Sequence, residues 1–243
     1  MRWETYLRRW FQLYLPDNYL AWDTETTGFN KSYDVPLEFG WAMVRGGNLS
    51  SRGSFILDWT RYPQYVEEAW LREQITRLEH AFREQGRQWH IPFQRLASDG
   101  QDPFFVMRFM RDLFTANREA DAWFVGHNLL AYDQILTENL FAEWLGESWQ
   151  WRDTETIDTG VLEKIARSQE LEPRLRLTPE PNEPFWVFQQ RAARASRRIK
   201  WNADVCVARY GLLEKNGLEK KDLHGAGTDA FVSSLLIEHH KEP

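Results

Sequence analysis

An apolar strand that ends in two acids is the tightest constraint in this sequence. Tyr19-Leu20-Ala21-Trp22 reads as a buried strand, and it runs directly into Asp23-Thr24-Glu25-Thr26-Thr27-Gly28. Side chains two positions apart on a strand share a face, so Asp23 and Glu25 project side by side. Adjacent carboxylates repel, and each raises the other's pKa. A protein tolerates that when divalent cations bind between them, and hard cations such as Mg²⁺ prefer carboxylate oxygens. Gly28 lets the backbone turn close to a ligand. The same letters also suit a solvated strand end followed by a turn, and this segment alone does not separate the two.

The surrounding pattern frames that strand in a sheet. Phe39 to Val44 reads as a second strand, Gly46-Gly47-Asn48 as a hairpin turn, and Ser54 to Leu57 as part of a third strand. Later apolar strands, at Ala122 to Val125 and Glu155 to Asp158, alternate with helical periodicity at 104–114, 130–145 and 159–167. Residues 2–15 form an amphipathic helix ended by Pro16, with 63–86 a long charged helix and 88–102 a loop. The four prolines within 169–189 mark a loop or excursion outside the core, followed by helices at 202–213 and 228–239. Three antiparallel strands followed by alternating helices and strands predict a mixed α/β sheet covered by helices. A chain of 243 residues fits one generous domain, here 1–243 with an N-terminal helix and excursions near 60–102 and 169–200.

Two further segments carry candidate chemistry. Gly126-His127-Asn128-Leu129-Leu130-Ala131-Tyr132-Asp133 follows a buried strand, with Asn128 as a helix N-cap and Asp133 in the second turn, able to face the first two acids. His224-Gly225-Ala226-Gly227-Thr228-Asp229 places His and Asp five residues apart. On a continuous helix they would point about 140° apart. They converge only if His224 lies on a loop and Asp229 on the helix that follows. A histidine on a glycine-flanked loop suits a general base.

In order and in context, these three segments resemble the Exo I, Exo II and Exo III motifs of the DnaQ-like (DEDDh) 3′→5′ exonucleases. The resemblance spans nearly the whole chain. It implies an RNase H-like fold, a mixed five-stranded sheet flanked by helices. It also implies that Asp23, Glu25, Asp133 and Asp229 hold two metal ions, Mg²⁺ or Mn²⁺, with His224 as the base. The tyrosine branch of the superfamily needs Tyr four residues before the last Asp. That position is Gly225, which favours the histidine branch. Asp133 follows His127 by six residues, a spacing similar to that of the three-prime repair exonuclease subgroup. Thr26, Thr27 and Phe29, with Asn128 and Leu129, fall where the family contacts the 3′-terminal nucleotide. Turn chemistry explains Thr26 and Thr27 nearly as well, and helix-start packing is an equal alternative for Leu129 and Leu130.

Composition limits the partners. The net charge of −6 argues against a coat on long duplex DNA, but not against an enzyme that grips a strand end. The resemblance implies a nucleic-acid 3′ end as the partner, single-stranded by preference and with DNA favoured, although the motifs themselves do not separate DNA from RNA. A polymerase-associated proofreading subunit, docked through the aromatic N-terminal helix, and an RNA-trimming ribonuclease are the rivals. The basic run Arg191, Arg194, Arg197, Arg198 and Lys200 either tracks phosphates or is a solvated face. The single cysteine, Cys206, sits in an apolar run and reads as a buried thiol. It permits no internal disulfide, which suits a reducing cytosol and an expected cytoplasmic location. No apolar run approaches the roughly 18–20 residues of a membrane helix, and the N-terminus lacks the apolar core of a signal peptide. Asp153-Thr154-Glu155-Thr156 repeats the first motif's letters, but no clean strand precedes it, so it reads as a loop. Glu38, Asp158 and His127 read as structural.

Overall fold

The computed structural model describes residues 3–28, 30, 34–168, 177–197, 199, 203–219 and 223–242. Strands β1 (Tyr19–Thr26), β2 (Pro36–Arg45), β3 (Asn48–Ile56), β4 (Trp123–Gly126) and β5 (Thr156–Asp158) form one sheet in the order β3-β2-β1-β4-β5. β1–β2 and β2–β3 are antiparallel, while β1–β4 and β4–β5 are parallel. Gly46 and Gly47 close the first hairpin with φ of 56° and 72°, the left-handed pair that matches strand twist.

β1 is the middle strand, and its alternation sorts the molecule into two cores. Leu20 and Trp22 join Phe39, Met107, Phe114 and Leu136 on one face. Tyr19 and Ala21 join Val125, Ile157, Phe188 and Ile237 on the other. Asp23 and Glu25 continue the second face where its apolar cover ends. Thr24 continues the first.

In chain order the helices are α1 (Trp3–Tyr14), α2 (Glu68–Glu84), α3 (Phe93–Asp99), α4 (Pro103–Glu119), α5 (Asp133–Leu140), α6 (Thr159–Ala166), α7 (Phe185–Ala195), α8 (Ala203–Arg209), α9 (Leu212–Lys215) and α10 (Ala226–Lys241). Helices α2 to α5 cover the first face, through residues such as Leu71, Leu96, Met110 and Leu140. Helices α1, α6, α7 and α10 cover the second. Cys206, fully buried as expected, belongs to a third small cluster with Leu212, Val232 and Leu236. On α1, Trp10 and Phe11 are buried against the domain, while Leu13 and Tyr14 are exposed. Among the described residues no helix is long and apolar enough to cross a membrane.

Several boundaries differ from expectation for local reasons. The predicted loop 88–102 contains α3, which begins after Pro92 and buries Leu96. The predicted helix over 130–145 starts only at Asp133 and passes into a wider π turn at Phe141–Leu145. The helix predicted over 202–213 breaks at Gly211, whose φ is 64°. The proline-rich stretch is not wholly outside the core: Leu177, Phe185 and Phe188 are buried in the second cluster, and α7 starts directly after Pro184. Prolines punctuate a chain without deciding what lies beneath it.

Gly40 holds the last helix against the sheet. It pairs with Asp23 across the β1–β2 ladder. A Cβ at this position would lie 2.0 Å from the Ala226 carbonyl carbon and 2.0 Å from the Gly227 nitrogen. The first turn of α10 therefore rests on the sheet backbone to backbone.

Candidate metal centre and nuclease site

Three acids meet at the C-terminal end of β1. Asp23, Glu25 and Asp229 each present a carboxylate oxygen, and these oxygens lie within 4.8 Å of one another. The first two come from a strand paired on both sides and the third from the first turn of α10. Burial raises the Asp23 carboxyl well above the ordinary range, and the charges of Asp133, Asp229, Glu25 and Glu38 raise it further. Glu25 is raised by burial first, then by Asp229, Glu38 and Asp133. Close like charges in a partly buried site are what a divalent cation relieves, and an all-oxygen donor set suits Mg²⁺ or Mn²⁺.

Asp133 stands beside this trio rather than within it. It is the first residue of α5, not a second-turn residue, because Asn128 adopts a left-handed φ of 62° and the chain turns before the helix begins. The backbone amides of Ala131 and Tyr132 both donate to the Asn128 carbonyl in that turn. Asn128 is therefore a turn residue, and the N-cap expectation is corrected. The buried Asp133 Oδ1 accepts a hydrogen bond from Thr24 Oγ1 at 2.5 Å. Burial pushes the Asp133 carboxyl up to about 7, against the hydrogen bond from Thr24, which lowers it.

His224 and Asp229 converge as the loop-then-helix expectation requires. His224 has a φ of 73°, a strained value for a side-chain-bearing residue. Its backbone amide donates to Asp229 Oδ1 at 3.2 Å. Its Nε2 accepts from the Arg87 guanidinium at 2.5 Å, and its ring meets Phe82 edge-on with centroids 5.5 Å apart. Glu38 fixes the start of this unit. It lies directly across the ladder from Glu25, where two like charges would repel. Glu38 Oε2 instead accepts from the Ala226 amide at 2.9 Å and from His90 Nε2 at 2.8 Å. Burial alone would raise Glu38, but the hydrogen bond and charge of His90, with bonds from Ser54 and Ala226, leave it below its ordinary value.

The remaining predicted residues divide. Thr26 Oγ1 and the Tyr132 hydroxyl both donate to the Gly28 carbonyl at 2.6 Å, and they lie 2.8 Å from each other. Together they lock the turn at the cleft edge. The Thr27 hydroxyl donates to Asp34 at 2.9 Å and accepts from the Val35 amide at 3.0 Å, which is turn chemistry. Leu129 is fully buried in the first core, so the structure does not bring it to the cleft. Phe29 lies outside the described residues, as do Arg198 and Lys200 of the basic run. Arg191 of that run pairs with Glu183. His127 Nδ1 sits 3.1 Å from Thr159 Oγ1, and His127 also lines the cleft beside the acids; Asp158 accepts from the amides of Asn128, Leu130 and Val161. Glu155 of the look-alike segment is bound by Arg118 at 2.9 Å, away from the acids.

The acids open onto a cleft of about 450 Å³. Its far wall comes from the excursion, through Leu78, Phe82 and Trp89. Sequence reasoning did not find Arg87, Tyr132, His90 or the Thr24 hydroxyl. Only the position of Thr24 between the two acids gave any signal.

No protein-family model matches the chain, and no curated protein matches it. Solved structures do. E. coli exonuclease I in complex with a dA16 oligonucleotide aligns with a TM-score of 0.57 at 17% identity, over 92% of this chain and 40% of that one. The zinc-bound form of an E. coli ExoI–ssDNA complex gives the same score, identity and coverage. An ExoI/SSB-Ct complex aligns with a TM-score of 0.52 at 17% identity, over 93% of this chain and 42% of that one. The chain thus spans about two fifths of the length of the exonuclease I chains it resembles. At this identity the likeness establishes the fold. It is the exonuclease fold, a mixed five-stranded α/β sheet flanked by helices, that the resemblance to the DnaQ-like family implied.

Proposed function

We propose, with the exonuclease fold as premise, that the chain is a metal-dependent 3′→5′ exonuclease that releases nucleoside monophosphates from single-stranded nucleic acid, DNA by preference. The observation that carries this is the meeting of Asp23, Glu25 and Asp229 oxygens within 4.8 Å at the end of the central strand, with Asp133 beside them. The preference for DNA and for a single strand rests on the oligonucleotide complexes of exonuclease I.

In this reading Asp23, Glu25, Asp133 and Asp229 hold two Mg²⁺ or Mn²⁺ ions. When bound, these ions would neutralise the scissile phosphate and make water a stronger nucleophile. Asp23 and Glu25 are fixed by the ladder, so they set one side of the site. Asp229 is carried to them by the contact of α10 with Gly40. Asp133, tethered by Thr24, reaches in from α5. His224 takes a proton from the attacking water at Nε2, which the bond from Arg87 marks as the unprotonated ring nitrogen. The turn locked by Thr26 and Tyr132, with Asn128 across the cleft, positions the terminal nucleotide.

A time course on 3′-labelled and 5′-labelled single-stranded DNA and RNA, with Mg²⁺, Mn²⁺ or EDTA, tests the reading. Mononucleotides should leave the 3′ end first, faster from DNA, and EDTA should stop their release. Release of the 5′ label first, or cleavage indifferent to EDTA, would overturn it.

A further inference from the structure

The excursion between β3 and α4 supplies the wall that faces the acids, and nothing in the motifs accounts for it. Along α2 and the turn after it, Leu78, Phe82 and Trp89 line the cleft, and Arg87 reaches it through its bond to the lining residue His224. Leu78 and Phe82 are half-buried and offer an apolar surface. Arg87 is half-buried as well, and its guanidinium lies against His224, five residues from Asp229. Within that lining, Trp89 braces Phe82. It is buried, packs edge-on against Phe82 with centroids 4.9 Å apart, and donates its indole N–H to the Ile91 carbonyl at 2.8 Å.

An arginine at this place suits a phosphate, because a guanidinium offers a planar fork of donors that matches phosphate oxygens. Aromatic and aliphatic faces beside such a fork suit a base, because every base has a π-face. Acids on one side, with an arginine and an apolar face on the other, match a nucleotide's polarity: scissile phosphate toward the acids, a phosphate oxygen toward Arg87, base on the wall.

We propose that the α2 segment is the second half of the substrate site, in which Arg87 grips a phosphate of the strand and Phe82 with Leu78 supports the 3′-terminal base. This rests on the exonuclease reading above. Arg87 also plays a second part. In the free protein it donates to His224 Nε2, and on strand entry it exchanges that nitrogen for a phosphate oxygen. His224 is thereby held in one rotamer until substrate arrives.

The test uses the full chain. Binding of a 5′-fluorescein oligothymidylate is measured by anisotropy with Ca²⁺ in place of Mg²⁺, across a salt series, and hydrolysis is followed with Mg²⁺. Arg87→Ala should weaken binding roughly tenfold and reduce the salt slope by about 0.7, the contribution of one single-strand phosphate contact. Its KM should rise by a similar factor while kcat changes less than about twofold. Arg87→Lys, which keeps the charge but loses the fork, should restore the salt slope and only part of the affinity. Phe82→Ala should erase the wild-type preference for an intact 3′ end over an oligonucleotide whose last nucleotide is abasic. Wild-type salt slope and KM in Arg87→Ala, or a loss confined to kcat, would overturn the phosphate grip. An undiminished preference for the intact end in Phe82→Ala would overturn the base wall. If the wild-type chain neither binds nor cuts the oligonucleotide, the exonuclease reading falls and takes this one with it. Wild-type activity with unaffected variants sinks this inference alone.

Discussion

The two sides of the cleft are built on opposite principles. The β1 side is a regular strand, paired with β4 at its start and with β2 along the stretch that carries Asp23 and Glu25, so the ladder fixes its acids. The His224 side is a short turn at a left-handed φ, tied by hydrogen bonds to Asp229 and Arg87, with the Glu38–His90 pair behind it. One side stores repulsion in a rigid frame, and the other places a basic nitrogen on a frame of separate bonds. Metal ions would answer the first, and a proton or a substrate the second.

The largest effects should come from the acids, Asp23 on the rigid strand and Asp229 on α10. Asp23→Ala and Asp229→Ala should each abolish metal-dependent hydrolysis while circular dichroism stays native. They should also raise the thermal midpoint in EDTA, because a repelling charge has been removed. Retained activity in either purified variant would end the assignment. On the other side, His224→Ala should lower kcat by roughly 10²–10⁴ without raising the midpoint. A nearly unchanged rate would move suspicion to His127.

A smaller effect separates the two sides by pH. Asp133 is raised to about 7, and Asp23 and Glu25 are also raised. A carboxyl raised on folding costs nothing below its unfolded value near 4 and progressively destabilises the protein as pH climbs through the folded value. The metal-free chain should therefore lose stability between about pH 4 and 7 from this cluster. Mg²⁺ or Mn²⁺, which needs ionised ligands, should raise the thermal midpoint more at pH 8 than at pH 5. An equal shift at both values would contradict the repulsion attributed to the β1 side. The smallest effect is expected from His90→Ala. By removing one partner of Glu38 it should lower stability by about 1–3 kcal/mol and cut kcat by severalfold, through looser placement of His224 and Asp229. A change in KM alone would remove the Glu38–His90 pair from that role.

The rigid side was the legible one. An apolar run into two acids two residues apart requires only the period of a strand, and the meander after it requires only a glycine turn. The His224 loop was legible too, since five residues on one helix cannot converge. Asp133 was harder to place. Its helix starts late because Asn128 turns the chain, and a left-handed asparagine has the same letter as an N-cap. Arg87 left no trace at all, because it reaches the site from a turn about 60 residues downstream of β1 and only the packing of α2 brings it there. Leu177 and Phe188 were hidden for the converse reason: local proline content outweighed a long-range contact.

Gly40 has a consequence for how such a site can change over time. The position carries no functional group, yet it sets the spacing between the strand that bears Asp23 and the helix that bears Asp229. Even one methyl there would be a wedge, parting the two halves of the acid cluster at their closest approach. Mutational tolerance at residue 40 should then be as narrow as at the acids themselves. A survey of variants scored only by activity would mark this glycine as catalytic, although its whole contribution is to leave space empty.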